Sequence, residues 1–286
     1  MKISTSSVRI LRKPGAANLL PAISENDNKS SRGKSLILAG SREYPGAGVL
    51  ASKAALRAGS GYVILAQPKV AVSAWDHPDF LLKDLSKDSW QDIEHQAILV
   101  GPGFGVNSFT AKVIRELIKA QATHVILDAD ALTVCAQEKI FPLPPSWIVT
   151  PHTGELSRLI GKSSEEINQD RVSAVREAQR KLGCVVLLKG HRTLVATANE
   201  IATIATGNSA LAKSGTGDVL AGIMTALRAQ NLKAPEAALL AAYIHGATAN
   251  LWVARRKDPL SMMASDVIEL IPDVLYQLRK VKTASP

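Results

Sequence analysis

Between residues 34 and 190 short apolar runs recur, each ending in glycine or polar residues, with helix-spaced segments between them. KSLILAG (34–40) predicts a strand running into a glycine turn. AGVLASKAALRAG (47–59) has helical spacing, and Gly59 and Gly61 close that helix. GYVILA (61–66) predicts the next strand, completing a βαβ unit of the kind that requires a parallel sheet covered by helices. The pattern repeats in QAILVGPG (96–103), a helix over 108–120, THVILDAD (123–130), SWIVTPHTGE (146–155) and CVVLLKG (184–190). Each strand delivers glycine or polar residues at its carboxyl end, where open α/β sheets bind ligands. From Gly215 the chain reads helical through TGDVLAGIMTALRAQ, PEAALLAAYIHGATANLWVARR and ASDVIELIPDVLYQLRKV. Residues 1–32 are polar and turn-rich, with SENDNKSS (24–31) a loop. No internal repeat or low-complexity linker divides the remainder. The expectation is an N-terminal segment, 1–32, and one α/β domain over 33–282.

Composition adds constraints. A chain of 286 residues with 46% hydrophobic content can bury a large core, and its 21% of charged residues are interspersed, which excludes a disordered chain. The formal charge of +9 raises a nucleic-acid partner. Its Lys and Arg residues are scattered, no nucleic-acid motif accompanies them, and aromatics for base stacking are only 4%. A positive field that attracts anionic small molecules such as nucleotides is the better account. Cys135 and Cys184 lie in apolar surroundings without metal-ligand spacing and read as buried thiols of a reducing compartment. MKISTSSVRILRKPG lacks the long apolar core of a secretory leader, and no apolar run reads as membrane-spanning, so the expected location is cytoplasmic with no membrane contact.

The strongest chemical signal is TGNSALAKSGTGDVLAGIMTAL (206–227), in which Gly215-Thr216-Gly217-Asp218 stands directly before an apolar helix. Glycines allow close backbone approach, and the first amides of a helix are unpaired and point outward. With the helix dipole they make an anion hole for a phosphate, and Asp218 beside it suits a base that takes a proton from an attacking hydroxyl. A plain turn and helix cap fits the same four residues equally well. Two other nucleotide motifs fail. A P-loop ending at Gly33-Lys34-Ser35 or Gly161-Lys162-Ser163 would need glycine where Asn28 and Leu156 stand. A dinucleotide fingerprint from Gly101 would need glycine at Val106.

Taken in order, GSREYPGAGVLASKAALRAGSGYV, VGPGFG, LDADAL, TPHTGE, LLKGHRT, GNSALAKSGTGDVLAGI and AAYIHG resemble the NAD(P)H-hydrate dehydratase family from about Lys34 to Gly246. The resemblance implies a ribokinase-like three-layer α/β/α sandwich with a mostly parallel central sheet. It implies dehydration of the 6-hydrated forms of NADH and NADPH at the expense of ADP or ATP, with Mg²⁺. Ala47, Gly103 and His152 match positions lining the hydrated-nicotinamide pocket. Lys189, Gly190, His191, Arg192 and Thr193 match a loop that holds the adenine nucleotide, Gly217 matches a phosphate contact, and Asp218 matches the residue facing the substrate. Metal ligands are left unassigned. A homo-oligomer, up to a tetramer, is implied, and the residues before Lys34 are too few for an epimerase domain, so a separate epimerase is expected. Gly-Thr-Gly-Asp is shared with ribokinase-like vitamin kinases, which makes a kinase of a hydroxyethylthiazole- or pyridoxal-like alcohol the alternative; an inactive nucleotide-binding subunit is a third. TPHTGE and KGHRT favour the dehydratase. The chain departs from the family at Ser209-Ala210 and Ser214, where Pro-Gly and Gly are usual, and Lys213 there is either a phosphate contact or a solvated lysine.

Other candidates carry less. His152, taken alone, reads as an ordinary loop histidine, and Lys189 at a strand end means little. His245 lies in an alanine-dense helix and is expected to pack. Asp128 and Asp130 could hold a metal, orient substrate or cap the next helix. Trp75, Trp90, Trp147 and Trp252 are too scattered for a stacking platform.

Overall fold

The structure, a computed structural model, describes residues 8–70, 72–73 and 76–283; Trp75 lies outside them. The elements in chain order are β1 (Arg9–Leu11), α1 (Lys13–Asn18), β2 (Lys34–Leu38), α2 (Pro45–Arg57), β3 (Tyr62–Gln67), β4 (Leu81–Asp84) and β5 (Ala97–Val100). Next come α3 (Ser108–Lys119), β6 (Val125–Leu127), α4 (Asp130–Gln137), β7 (Ile148–Val149), α5 (Thr153–Ile160), α6 (Ser164–Gln169), α7 (Arg171–Leu182) and β8 (Val185–Leu188). The chain ends with β9 (Leu194–Ala196), β10 (Ile201–Ile204), α8 (Thr216–Ala229), α9 (Ala234–Ala254) and α10 (Ala264–Thr283).

One sheet runs in the order β1-β10-β9-β8-β7-β6-β5-β2-β3-β4. Every pairing is parallel except β8 with β9 and β9 with β10. The strands read as unbroken apolar runs because helices bury both faces. Ile37 and Leu65 join one core with α2, α8, α9 and α10, while Leu36, Leu38 and Ile64 join the other with α3, α4, α5 and α7. The expected three-layer sandwich is therefore the observed one. Strand order reverses between β2 and β5, and loops at the carboxyl ends of two such strands leave a crevice between them. There Gly40 N donates to Pro102 O at 2.7 Å, joining the two loops.

Two expectations need correction. The segment expected to be turn-rich holds regular elements among its described residues: β1 extends the sheet by pairing with β10, and α1 buries Ala16 and Ala17 beneath α10. A three-residue strand in polar sequence has no period to read, and its partner lies about 190 positions away, as the Arg9–Glu200 pair at |i−j| 191 shows. The second concerns the absence of a membrane-length run. Helix α9 is long and apolar enough to cross a membrane by length and composition, but it packs between α8 and α10 as a core helix, with 67% of its apolar window buried.

Helix α8 reaches α2 closely because Gly222 faces the Ala51 carbonyl; a β-carbon on Gly222 would lie 2.2 Å from that oxygen. This contact, the most extensive between two helices here, sets the depth at which the amino end of α8 meets the sheet.

Candidate active site

The amino end of α8 is the centre of the site. Its cap, Gly215, takes φ +86 and offers no side-chain bond to the helix. Thr216 Oγ1 turns back to the Leu211 and Lys213 carbonyls at 2.9 Å, fixing the approach of the loop. The amides of Gly217 and Asp218 have no partner among the described residues, so they are free to receive an anion. This is the arrangement the Gly-Thr-Gly-Asp motif predicts, and it exceeds a plain capped turn because no side chain fills the cap.

A cleft of about 1110 Å³ opens over this helix end. The loop Lys189–Thr193 after β8 forms one wall, and Gly217, Thr216 and Lys213 contribute from the α8 side. All five loop residues assigned to the nucleotide therefore line the same space as Gly217. Arg171 ties this loop down: its guanidinium donates to the Lys189 carbonyl at 3.0 Å and to Thr153 Oγ1 at 3.4 Å. Exposed Lys213 lines the cleft, and Ser214 beside it is exposed.

His152 lines this cleft too. Its Nδ1 accepts from the amides of Gly154 at 2.9 Å and Glu155 at 3.3 Å, capping α5, while the Glu155 carboxylate accepts from the His152 amide at 2.7 Å. With Nδ1 committed as an acceptor, the ring proton sits on Nε2, which lies 3.5 Å from Glu155 Oε1.

Ala47 and Gly103 lie elsewhere, at the β2–β5 crevice. A β-carbon on Gly103, which takes φ +59, would stand 3.2 Å from Ala47 Cβ and 2.7 Å from Tyr44 Cβ. The two residues thus form one shelf, outside the lining of the cleft that holds His152. The loop carrying Gly103 is bound to the β6 end, where Gly105 N donates to Asp130 Oδ2 at 2.8 Å. Asp130 in turn acts electrostatically on Asp218. Asp218 follows Gly217, which lines the cleft, while Asp218 itself is half-buried and not among the cleft-lining residues.

The turn after β6 aims its two aspartates in different directions. Ala129 adopts φ +50 and ψ −117, a conformation costing a non-glycine residue about 1–3 kcal/mol. That twist sends Asp130 to Gly105 and Asp128 to the buried Lys189 ammonium, 2.7 Å from Asp128 Oδ1. Glu155 Oε2 lies 3.6 Å from the same ammonium. Burial opposes the charge on Lys189, yet Asp128 and Glu155 outweigh it and raise its pKa. Burial, and then Asp128, raise Glu155 against the pull of Lys189. Asp218 is pushed up to about 7 by burial first and then by Asp128, with Lys189 opposing and Asp130 adding.

Glu155 and His245 are the residues that sequence reasoning missed. Glu155 is visible only as the third residue of a capping pattern, which says nothing of a buried lysine. His245 does pack, as expected, but it also lines the cleft. Its Nε2 is buried without a partner, and burial lowers its pKa to about 4, aided by Lys189 and opposed by the Thr216 backbone. Cys135 and Cys184 are buried and unpaired as expected, and burial lifts the Cys135 thiol to about 12.

Comparison with known proteins bears on this arrangement. The family model described as NAD(P)H-hydrate dehydratase matches residues 35–273. The bifunctional NAD(P)H-hydrate repair enzyme of Moorella thermoacetica is 32% identical over 294 residues, covering 95% of this chain and 54% of that protein. Its counterpart from Salinibacter ruber is 37% identical over 276 residues, covering 89% and 50%. The chain thus spans about half the length of the curated relatives it matches. The crystal structure of ADP/ATP-dependent NAD(P)H-hydrate dehydratase from Bacillus subtilis, co-crystallised with ATP and Mg²⁺, superposes with a TM-score of 0.85 at 29% identity, covering 95% of this chain and 99% of that one. Hydroxyethylthiazole kinase from Pyrococcus horikoshii, at TM-score 0.60 and 14% identity, shares the fold alone.

Proposed function

The chain belongs to the NAD(P)H-hydrate dehydratase family, and from that premise we propose that it restores NADH and NADPH from their 6-hydrated forms at the expense of ADP or ATP. The observation that supports the proposal is the amino end of α8, where the Gly217 and Asp218 amides are without partners among the described residues, Gly217 lines the cleft, and the Asp218 carboxylate follows directly.

A hydroxyl at C6 is a poor leaving group, and phosphorylation corrects that. The nucleotide lies in the cleft along Lys189–Thr193, its terminal phosphoryl group against the Gly217 and Asp218 amides. The hydrated nicotinamide rests on the shelf formed by Ala47 and Gly103. Ionised Asp218 takes the C6 hydroxyl proton as that oxygen attacks phosphorus and the bond to the departing nucleotide breaks. The amides hold the negative charge that develops on the phosphoryl oxygens. The C6–O bond then breaks with the electron pair leaving on phosphate, the ring nitrogen lone pair fills the gap, and loss of a C5 proton to the departing phosphate restores the dihydropyridine. His152 lines the cleft, with Nε2 3.5 Å from Glu155 Oε1, and serves to position the ligand bound there.

Among the described residues no three His, Cys, Asp or Glu side chains converge as a metal cage, since Asp128 is engaged by Lys189 and Asp130 by Gly105. That donor set fits Mg²⁺ carried mainly by nucleotide phosphates and water, with no protein ligand assigned. When bound, the ion supplies neutralisation of phosphate charge. A homo-oligomer is part of the same reading.

Hydrated NADH incubated with the protein and ADP or ATP is expected to regain the absorbance of reduced nicotinamide. Asp218→Asn should keep nucleotide binding and lose at least about 100-fold in turnover. No recovery with either nucleotide refutes the proposal, and faster phosphorylation of a vitamin alcohol replaces it with the kinase.

A further inference from the structure

Strand β8 delivers Lys189 not to open solvent but beneath the amino end of α8. A β-carbon on Gly217 would lie 3.7 Å from its Nζ, which places the ammonium against the backbone that precedes Asp218. The same ammonium donates to Asp128 at 2.7 Å and lies 3.6 Å from Glu155, and its side chain is only 18% exposed. One cation therefore pairs with two carboxylates, Asp128 and Glu155, and lies against the helix end that carries Asp218. Such a cation is more than a hook for a passing phosphate, because two of its carboxylate neighbours occupy it before any ligand arrives.

We infer that Lys189 and Asp128 act as a positioning pair that sets the proton affinity of Asp218, Lys189 drawing the base toward its ionised form and Asp128 restraining that pull. The inference rests on the reading of Asp218 as the base. Its geometric source is local: Ala129 at φ +50 throws Asp128 inward, Asp128 and Glu155 hold the Lys189 ammonium, and Arg171 donates to the Lys189 backbone carbonyl. Charged groups from three elements bear on Asp218. Asp128 and Asp130 come from the β6–α4 turn, Lys189 from the end of β8, and Glu155 from α5 beyond Lys189. His245 of α9 is neutral beside Thr216, and Lys213 stands exposed in the loop before α8.

The balance explains how a carboxylate buried among carboxylates still works as a base near neutrality. Burial and the two aspartates push Asp218 up to about 7, and Lys189 opposes them. Without that ammonium the base would be protonated, and idle, at neutral pH. Without Asp128 it would ionise more readily but accept a proton less avidly.

The two partners should therefore displace the pH profile in opposite directions, which a merely structural pair would not do. The measurement is kcat/KM for hydrated NADH at saturating ADP, followed between about pH 6 and 9. Lys189→Met is expected to move the rising limb up by about one pH unit or more, costing about tenfold at neutrality. Asp128→Asn should move it down, and Lys189→Arg should restore a near-native profile. Limbs that stay in place, or move the same way in both variants, overturn the inference, as does a Lys189→Met variant that raises only KM for ADP. Should one variant fail to fold, the direction of the other decides. Asp218→Asn separates the two levels: an inactive Asp218→Asn with unmoved limbs in the pair overturns only this inference, whereas an active one overturns the proposed function as well.

Discussion

Asp218→Asn should make the protein more stable as it makes it inactive. The folded carboxyl titrates at about 7 against an ordinary 3.8, with burial the largest cause. A carboxyl held up in this way is favourable to the fold while protonated, so it contributes no penalty below about pH 4. As pH climbs toward about 7 the unfolded chain ionises freely while the folded chain resists, and stability is lost until the folded carboxyl has itself titrated. The difference of roughly three pKa units, at about 1.36 kcal/mol each, sets a ceiling of about 4 kcal/mol. Asp218 is only partly buried, and solvent screening trims this to about 2 kcal/mol. Asparagine keeps the shape and removes the need to ionise. Urea unfolding followed by circular dichroism should show a gain of about 2 kcal/mol at about pH 8, falling to less than half of that at about pH 5. An equal gain at both pH values, or none at pH 8, would show that the site does not hold its carboxyl under electrostatic stress, and the argument from burial would fail.

Two glycines provide further checks. In an ordinary helix interior Gly→Ala gains about 1 kcal/mol. Gly222→Ala should instead lower stability by about 2–3 kcal/mol, visible as a reduced Tm, because the new methyl meets the Ala51 carbonyl at 2.2 Å. Gly103→Ala adds a methyl against Tyr44 and Ala47 at φ +59 and is expected to raise KM for the hydrate about tenfold while sparing KM for nucleotide. An unchanged hydrate KM removes Gly103 from the substrate shelf.

Local sequence carried the α/β class, the strand ends and the glycine turn before α8, because each depends on residues near one another in the chain. An apolar run with glycine after it already states that a buried strand must turn, while Gly215-Thr216-Gly217-Asp218 before an apolar helix leaves free amides beside an acid and a plain capped turn both open, and the unfilled cap of α8 decides between them. The same locality limited what could be read. Lys189 and Asp128 meet across 61 positions, and nothing around either residue announces the other. The antiparallel turn through β9 and β10, the pairing of β1 with β10, and the burial of most of α9 are likewise outcomes of packing. Charge at the end of a strand acquires meaning only when folding strips water from it and supplies its neighbours. The sequence by itself therefore determined which groups could do the chemistry; the tertiary structure decided which of them are buried together, and burial sets their protonation.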